Sequence, residues 1–185
     1  WEATGTGWTL QGLSQFYAAT GSEVALEHLR LSARYVKDHG KVFDEQGRFL
    51  ARHESSQGPA LHFHHNCNAL EGLTEYAQVT GDAEFADFAR MGYEYAQSVS
   101  SPLVGFFPEY IDDWPDPRGF VDCEGCCVAD MIQIAMRMTL AGVGDYWDDV
   151  DRYLRNEFAE MQMTSSDWVY RMIEDLPKTP VGSEE

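Results

Sequence analysis

Three cysteines and a glutamate crowd into Asp122-Cys123-Glu124-Gly125-Cys126-Cys127. A thiolate is a soft ligand and zinc is borderline soft, so sulfur and carboxylate meeting on one ion is sound chemistry. At the start of a helix Glu124 and Cys127 stand at i and i+3, on one side. Free N–H groups at such an end also lower a thiol's pKa. Glu124, Cys126 and Cys127 are therefore candidate metal ligands, with zinc the expected ion and further ligands drawn from elsewhere. Cys127 taken alone reads better as core, since free cysteine is commonly buried. A Cys123-x-x-Cys126 redox pair ranks below both, because no βαβ pattern surrounds it.

A second constellation is His62-Phe63-His64-His65-Asn66-Cys67-Asn68. In extended chain His62 and His64 point the same way, at a spacing that could chelate metal. Histidine and asparagine also hold sugar hydroxyls, and sugar binding is the favoured reading for His62, His64, His65 and Asn68. Trp114 and Trp8 are candidate platforms for the apolar face of a sugar ring, although Trp8 equally suits a core.

The elements that must position these residues recur. A shift of 60 residues superposes Leu10, Gly12 and Leu13 on Leu70, Gly72 and Leu73, and Thr20-Gly21 on Thr80-Gly81. Each unit reads as an amphipathic helix, a glycine stop and a second helix capped by Ser22 or Asp82. A third unit starts near Glu124, with Cys127, Met131, Ile134 and Met138 as its stripe. The chain 1–185 is thus expected to be a single, partial, all-α domain, with hairpin units near 8–38, 68–99 and 124–162. Gly105 to Phe120, with Pro108, Pro115 and Pro117, reads as an ordered loop, and Ala60 to His64 as a possible short strand. Long helices with functional loops at one end resemble the (α/α)6 barrel, of which this length would supply about half. Glycosidases, sugar epimerases and polysaccharide lyases all use that fold, so it leaves function open.

Composition narrows the partners. Thirteen basic against thirty-one acidic residues give a net charge of −18. That disfavours nucleic acid and anionic membranes, which need positive charge to replace counterions, and leaves neutral carbohydrate open. At 44% apolar residues the chain is globular rather than disordered. Clustered thiols suit a reducing compartment, hence a cytoplasmic expectation. No basic-then-apolar leader is visible, and a start at Trp1 suggests a piece of something longer.

Glu124-Gly125-Cys126, followed by a helix, a Gly-Asp turn and Asp151-Arg152-Tyr153-Leu154-Arg155-Asn156, resembles the β-L-arabinofuranosidases of glycoside hydrolase family 127. The resemblance implies zinc on Glu124 and Cys126. It also implies an acid/base at Glu109, fifteen residues upstream, on the loop before the motif. The family's nucleophile is a zinc-bound cysteine of a further Cys-Cys pair, which this chain does not reach. Where the family often has histidine, the chain has Asn68. The implied mechanism is retaining hydrolysis of a neutral L-arabinofuranoside, with the Glu109 pKa raised if Asp112 and Asp113 lie close. Two rival readings stand beside it: a non-catalytic helical-repeat binding module, and a metal-free epimerase-type barrel using His64 or His65. Self-association, or a missing C-terminal half, is expected to cover the apolar edge of half a ring.

Overall fold

The computed structural model describes residues 2–55, 58–113 and 122–175, so Trp114 lies outside the described residues. Helix α1 (Glu2–Thr20) turns back into α2 (Glu23–Asp38). A hairpin of β1 (Arg52–Ser55) and β2 (Gly58–Leu61) follows, antiparallel, with Arg52 opposite Leu61. Next come α3 (Phe63–Thr80) and α4 (Ala83–Ser98), then α5 (Gly125–Leu140) and α6 (Trp147–Tyr153). Helix α6 runs on through a π-helical turn, Leu154–Phe158, and α7 (Asp167–Asp175) closes the described chain. The protein is all-α apart from the small hairpin, as expected. None of these helices is long and apolar enough to cross a membrane.

The repeat is visible as chemistry. Thr20 Oγ1 donates to Phe16 O at 2.7 Å and accepts from Ser22 N at 3.3 Å. Thr80 does the same with Tyr76 O and Asp82 N, at 2.7 and 3.3 Å. Between them Gly21 and Gly81 adopt φ of 65° and 70°, a left-handed conformation that glycine takes without a Cβ penalty. Ser22 then caps α2 and Asp82 caps α4, each accepting from backbone N–H groups of the next turn.

Equivalent residues of successive units also touch. Gln11 Nε2 donates to Glu71 Oε2 at 3.0 Å, and Gln15 Nε2 to Glu75 Oε1 at 3.1 Å. Arg52 meets Asp112, and Tyr93 OH meets Tyr153 OH, again 60 residues apart. The same offset at two points along α1 and α3 makes these helices parallel and in register. Helix α3 packs between α1 and α5 and is buried around most of its circumference from Asn66 to Ala77. Leu70, Leu73, Phe85, Tyr93, Met131, Ile134 and Tyr153 join one continuous core. Each large side chain so buried contributes about 1.5–3 kcal/mol.

The units start earlier than the sequence pattern indicates, at Glu2 and Phe63. The His62 side chain accepts from His65 N, and Phe63 is fully buried, so the helix begins right after β2. His64 and His65 therefore occupy a helical turn, and the same-side argument for an extended His62–His64 pair does not apply.

Candidate metal centre and adjoining clefts

Glu124 occupies the position that caps α5, with extended φ and ψ of −99° and 133°, yet its carboxylate makes no capping bond. It turns instead to Cys127, whose Sγ lies 3.8 Å from Glu124 Oε2. One carboxylate oxygen of Glu124 and the sulfurs of Cys126 and Cys127 all lie within 4.8 Å of one another. Tetrahedral zinc with these ligands needs separations of about 3.5–3.8 Å, so small rotations suffice and the donor set fits the ion. Cys127 is buried and Glu124 is 41% exposed, so an ion held by these residues would be open to a further ligand on the Glu124 side. Three protein ligands and one open position are the pattern of catalytic rather than structural zinc. Without a cation, the hydrogen bond with Cys126 and burial push the Cys127 thiol far up, which is the state a coordinated metal reverses.

Glu109 reaches this place through its backbone. Its N–H donates to Asp122 O at 2.8 Å and its carbonyl accepts from Phe63 N at 2.9 Å. The loop is thus stitched between the first residues of α5 and of α3, which points the Glu109 side chain at His62 and Glu124. His62 Nε2 stands 3.9 Å from Glu109 and 3.6 Å from Glu124. Since His62 Nδ1 accepts from His65 N at 3.3 Å, the neutral ring carries its proton on Nε2, an assignment drawn from the bonding pattern. Burial holds the His62 pKa down, reinforced by His64 and His53 against the pull of Glu124. His62, Glu109 and Glu124 could also ring a cation, but His62 Nε2 would first have to lose that proton. This geometry favours an N–H donor facing two carboxylates, with any metal on the sulfur side.

The other expected residues divide. His64 Nδ1 pairs with the buried Asp130 at 2.8 Å, and that bond pushes the imidazole up to about 9 against the effect of burial. His65 is held at about 4 by burial and by the neighbouring His62, His53 and His64. Its ring helps line a cleft of about 270 Å³ with Thr4, Gly5, Trp8, His53 and Asn68. Asn68 is buried; in the amide orientation that satisfies both ends, it donates to Thr4 O at 3.1 Å and accepts from Trp8 Nε1 at 2.6 Å. Its polar atoms are thereby used in joining α3 to α1, while Trp8 stays 56% exposed.

Asp112, expected beside Glu109, is engaged elsewhere: its carboxylate accepts from Arg52 and from Leu61 N. Burial pushes Asp112 up, but hydrogen bonds from Arg52 and Leu61 N outweigh it, hold it down and use the carboxylate. Sequence reasoning missed two participants. His53, on β1, stacks edge-on to His65 with ring centres 4.4 Å apart; only recognition of the hairpin ahead of His62 could have placed it. Asp130 was legible as a lone acid inside an apolar helical stripe. Glu109, Glu124, His62, Cys126 and Cys127 come together, His65 and Asn68 border the cleft, and His64 is spent on Asp130. Set beside protein-family models, curated proteins and solved structures, the chain finds no match in any of the three comparisons.

Proposed function

We propose that the chain carries the catalytic end of a retaining glycoside hydrolase, with zinc on Glu124, Cys126 and Cys127 and Glu109 as acid/base. The observation that carries this is convergence. A loop glutamate, fixed by backbone bonds to the starts of two helices, lies within 4.8 Å of Glu124, itself within 4.8 Å of two sulfurs. Retention needs a proton donor and a nucleophile about 5 Å apart, and Glu124 stands between the candidate donor and the two sulfurs. Zinc there would keep a sulfur as thiolate at neutral pH. Glu109 would protonate the leaving oxygen while a thiolate nucleophile, which the resemblance assigns to a further cysteine pair, takes the anomeric carbon. Glu109 would then take the proton of the water that displaces that thiolate. The His62 Nε2–H between the two carboxylates steers them, and Trp8 with His65 offers a face for the sugar ring. A neutral L-arabinofuranoside is the proposed substrate.

We further read the three hairpins as about half of an (α/α)6 barrel. On α1 Phe16 is exposed one turn beyond Gly12, next to which nothing lies within 4 Å. Their repeat equivalents Tyr76 and Gly72 are buried in α3, where Gly72 meets Gly7 and Leu10 of α1. By the same rule the α1 face receives another inner helix, through self-association or from further chain. Four free cysteines suit a reducing, cytoplasmic setting.

The test is metal content with turnover. Metal-replete protein should hold one zinc, lost in Glu124→Ala and Cys126→Ser. Glu109→Gln should keep zinc and fold while hydrolysis of an aryl L-arabinofuranoside falls about 10²–10⁴-fold. Absent zinc overturns the ligand set, and retained turnover overturns the acid/base. The contact of His53, His62 and His65 rings supports a second reading, metal-free proton transfer of the epimerase type, which zinc-free activity would select.

A further inference from the structure

We infer that the site takes a glycan bearing a carboxylate, a uronic acid unit, beside the ring held at Trp8; this rests on the carbohydrate reading above. A second cleft, of about 230 Å³, adjoins the first and shares Thr4, His53 and His65 with it. Its other walls are Gly40, Lys41, Leu50, Ala51 and Arg52. The two clefts differ in character: Trp8 faces the first, and cationic groups surround the second. In a chain of thirty-one acidic residues, none of the described residues lining this cleft is acidic.

Arg52 is balanced by Asp112 at 2.6 Å. The uncompensated cation is Lys41, which has no carboxylate partner among the described residues. Its backbone carries independent information. Lys41 has φ of 53°, the only positive value at a non-glycine among the described residues. Glycine would occupy that conformation without strain, so a lysine is kept in the cleft wall against the local backbone preference. Strain of this kind concentrates where a side chain has a task. A chain of net charge −18 repels anions at long range, so a local cation without a carboxylate partner among the described residues is the feature that would admit one. A carboxylate on the sugar next to the ring stacked at Trp8 would reach Lys41 and the His53 edge.

Calorimetric titration with digalacturonate and with its methyl ester isolates the charge, because the rings are unchanged. The acid should bind about tenfold more tightly than the ester, the scale of one charge-assisted contact. Lys41→Ala should bring the ratio near one, Lys41→Arg should retain it, and circular dichroism should be unchanged in both. Equal affinity for acid and ester, a ratio that survives Lys41→Ala, or no binding of either would overturn the inference. The ratio is read without turnover, on zinc-loaded and zinc-depleted protein alike. Failure of hydrolysis or of zinc binding therefore leaves it standing, and its own failure leaves the neutral-glycoside reading intact.

Discussion

Between α1 and α3 the helices meet glycine to backbone, and their polar contacts are amide to carboxyl. Between α3 and α5 the same repeat positions carry charge and sulfur. Thr4, His64 and Glu124 are equivalent by the 60-residue offset, as are Gly7, Cys67 and Cys127. In the first seam a Cβ on Gly7 would lie 2.2 Å from Asn68 O, so the approach itself is the interaction. Glu71 there is pushed up to about 8 by burial and by Asp130, and is neutral at pH 7. In the second seam His64 pairs with Asp130 and Glu75 with Arg137 at 2.9 Å, both largely buried. One scaffold thus uses a given position for close packing in one seam and for chemistry in the next. Substitution at the mouth changes what the position does while the glycine turns and caps keep the register.

The contrast can be broken most forcefully at the charged seam. His64→Leu leaves Asp130 buried without its partner and should cost about 3–5 kcal/mol in urea unfolding at pH 7. Gln11→Leu in the neutral seam should cost only about 1–2 kcal/mol; equal losses would erase the distinction. Next in size is a pH effect. His64 titrates near 6.5 unfolded and at about 9 folded, so the folded chain holds the proton more tightly. Its stabilisation is complete below pH 6.5 and is lost as pH rises through 9, by about 3 kcal/mol. Glu71, raised from 4.5 to about 8, acts in the same direction over its own lower window. Stability that instead rose steadily from pH 5 to 9 would contradict both. Gly7→Ala should cost about 2–3 kcal/mol through forced separation of α1 and α3. Gly12→Leu, on the open face, should change stability by less than about 1 kcal/mol while abolishing association in sedimentation. A large loss of stability there would mean that this face is not the free end of the stack.

Much of the frame was readable before folding. Thr20-Gly21-Ser22 and Thr80-Gly81-Asp82 state a helix stop and a cap in local terms, because left-handed φ and capping bonds involve neighbours only. Glu124 and Cys127 at i and i+3 were legible for the same reason. The bonds of Asn68 to Thr4 and Trp8 were not legible, because those partners lie 60 or more residues away. The pairing of Asp112 with Arg52, 60 residues away, was likewise not legible. The helical start at Phe63, which brings His64 to Asp130, goes with burial of the Phe63 ring against Phe49 and Phe107, far from it in sequence.

By itself the sequence determined the helical hairpins, their 60-residue period, the turns and the acidic charge, since each follows from short-range spacing or composition. Only the tertiary structure decided which side chains share a space. It placed Glu109 against Glu124 and His62, set His64 on Asp130, brought His53 into the cleft and left Lys41 facing it. The physical reason is range. Propensity and capping act within a turn or two, whereas a site is assembled from residues tens of positions apart, held by packing that no local pattern records.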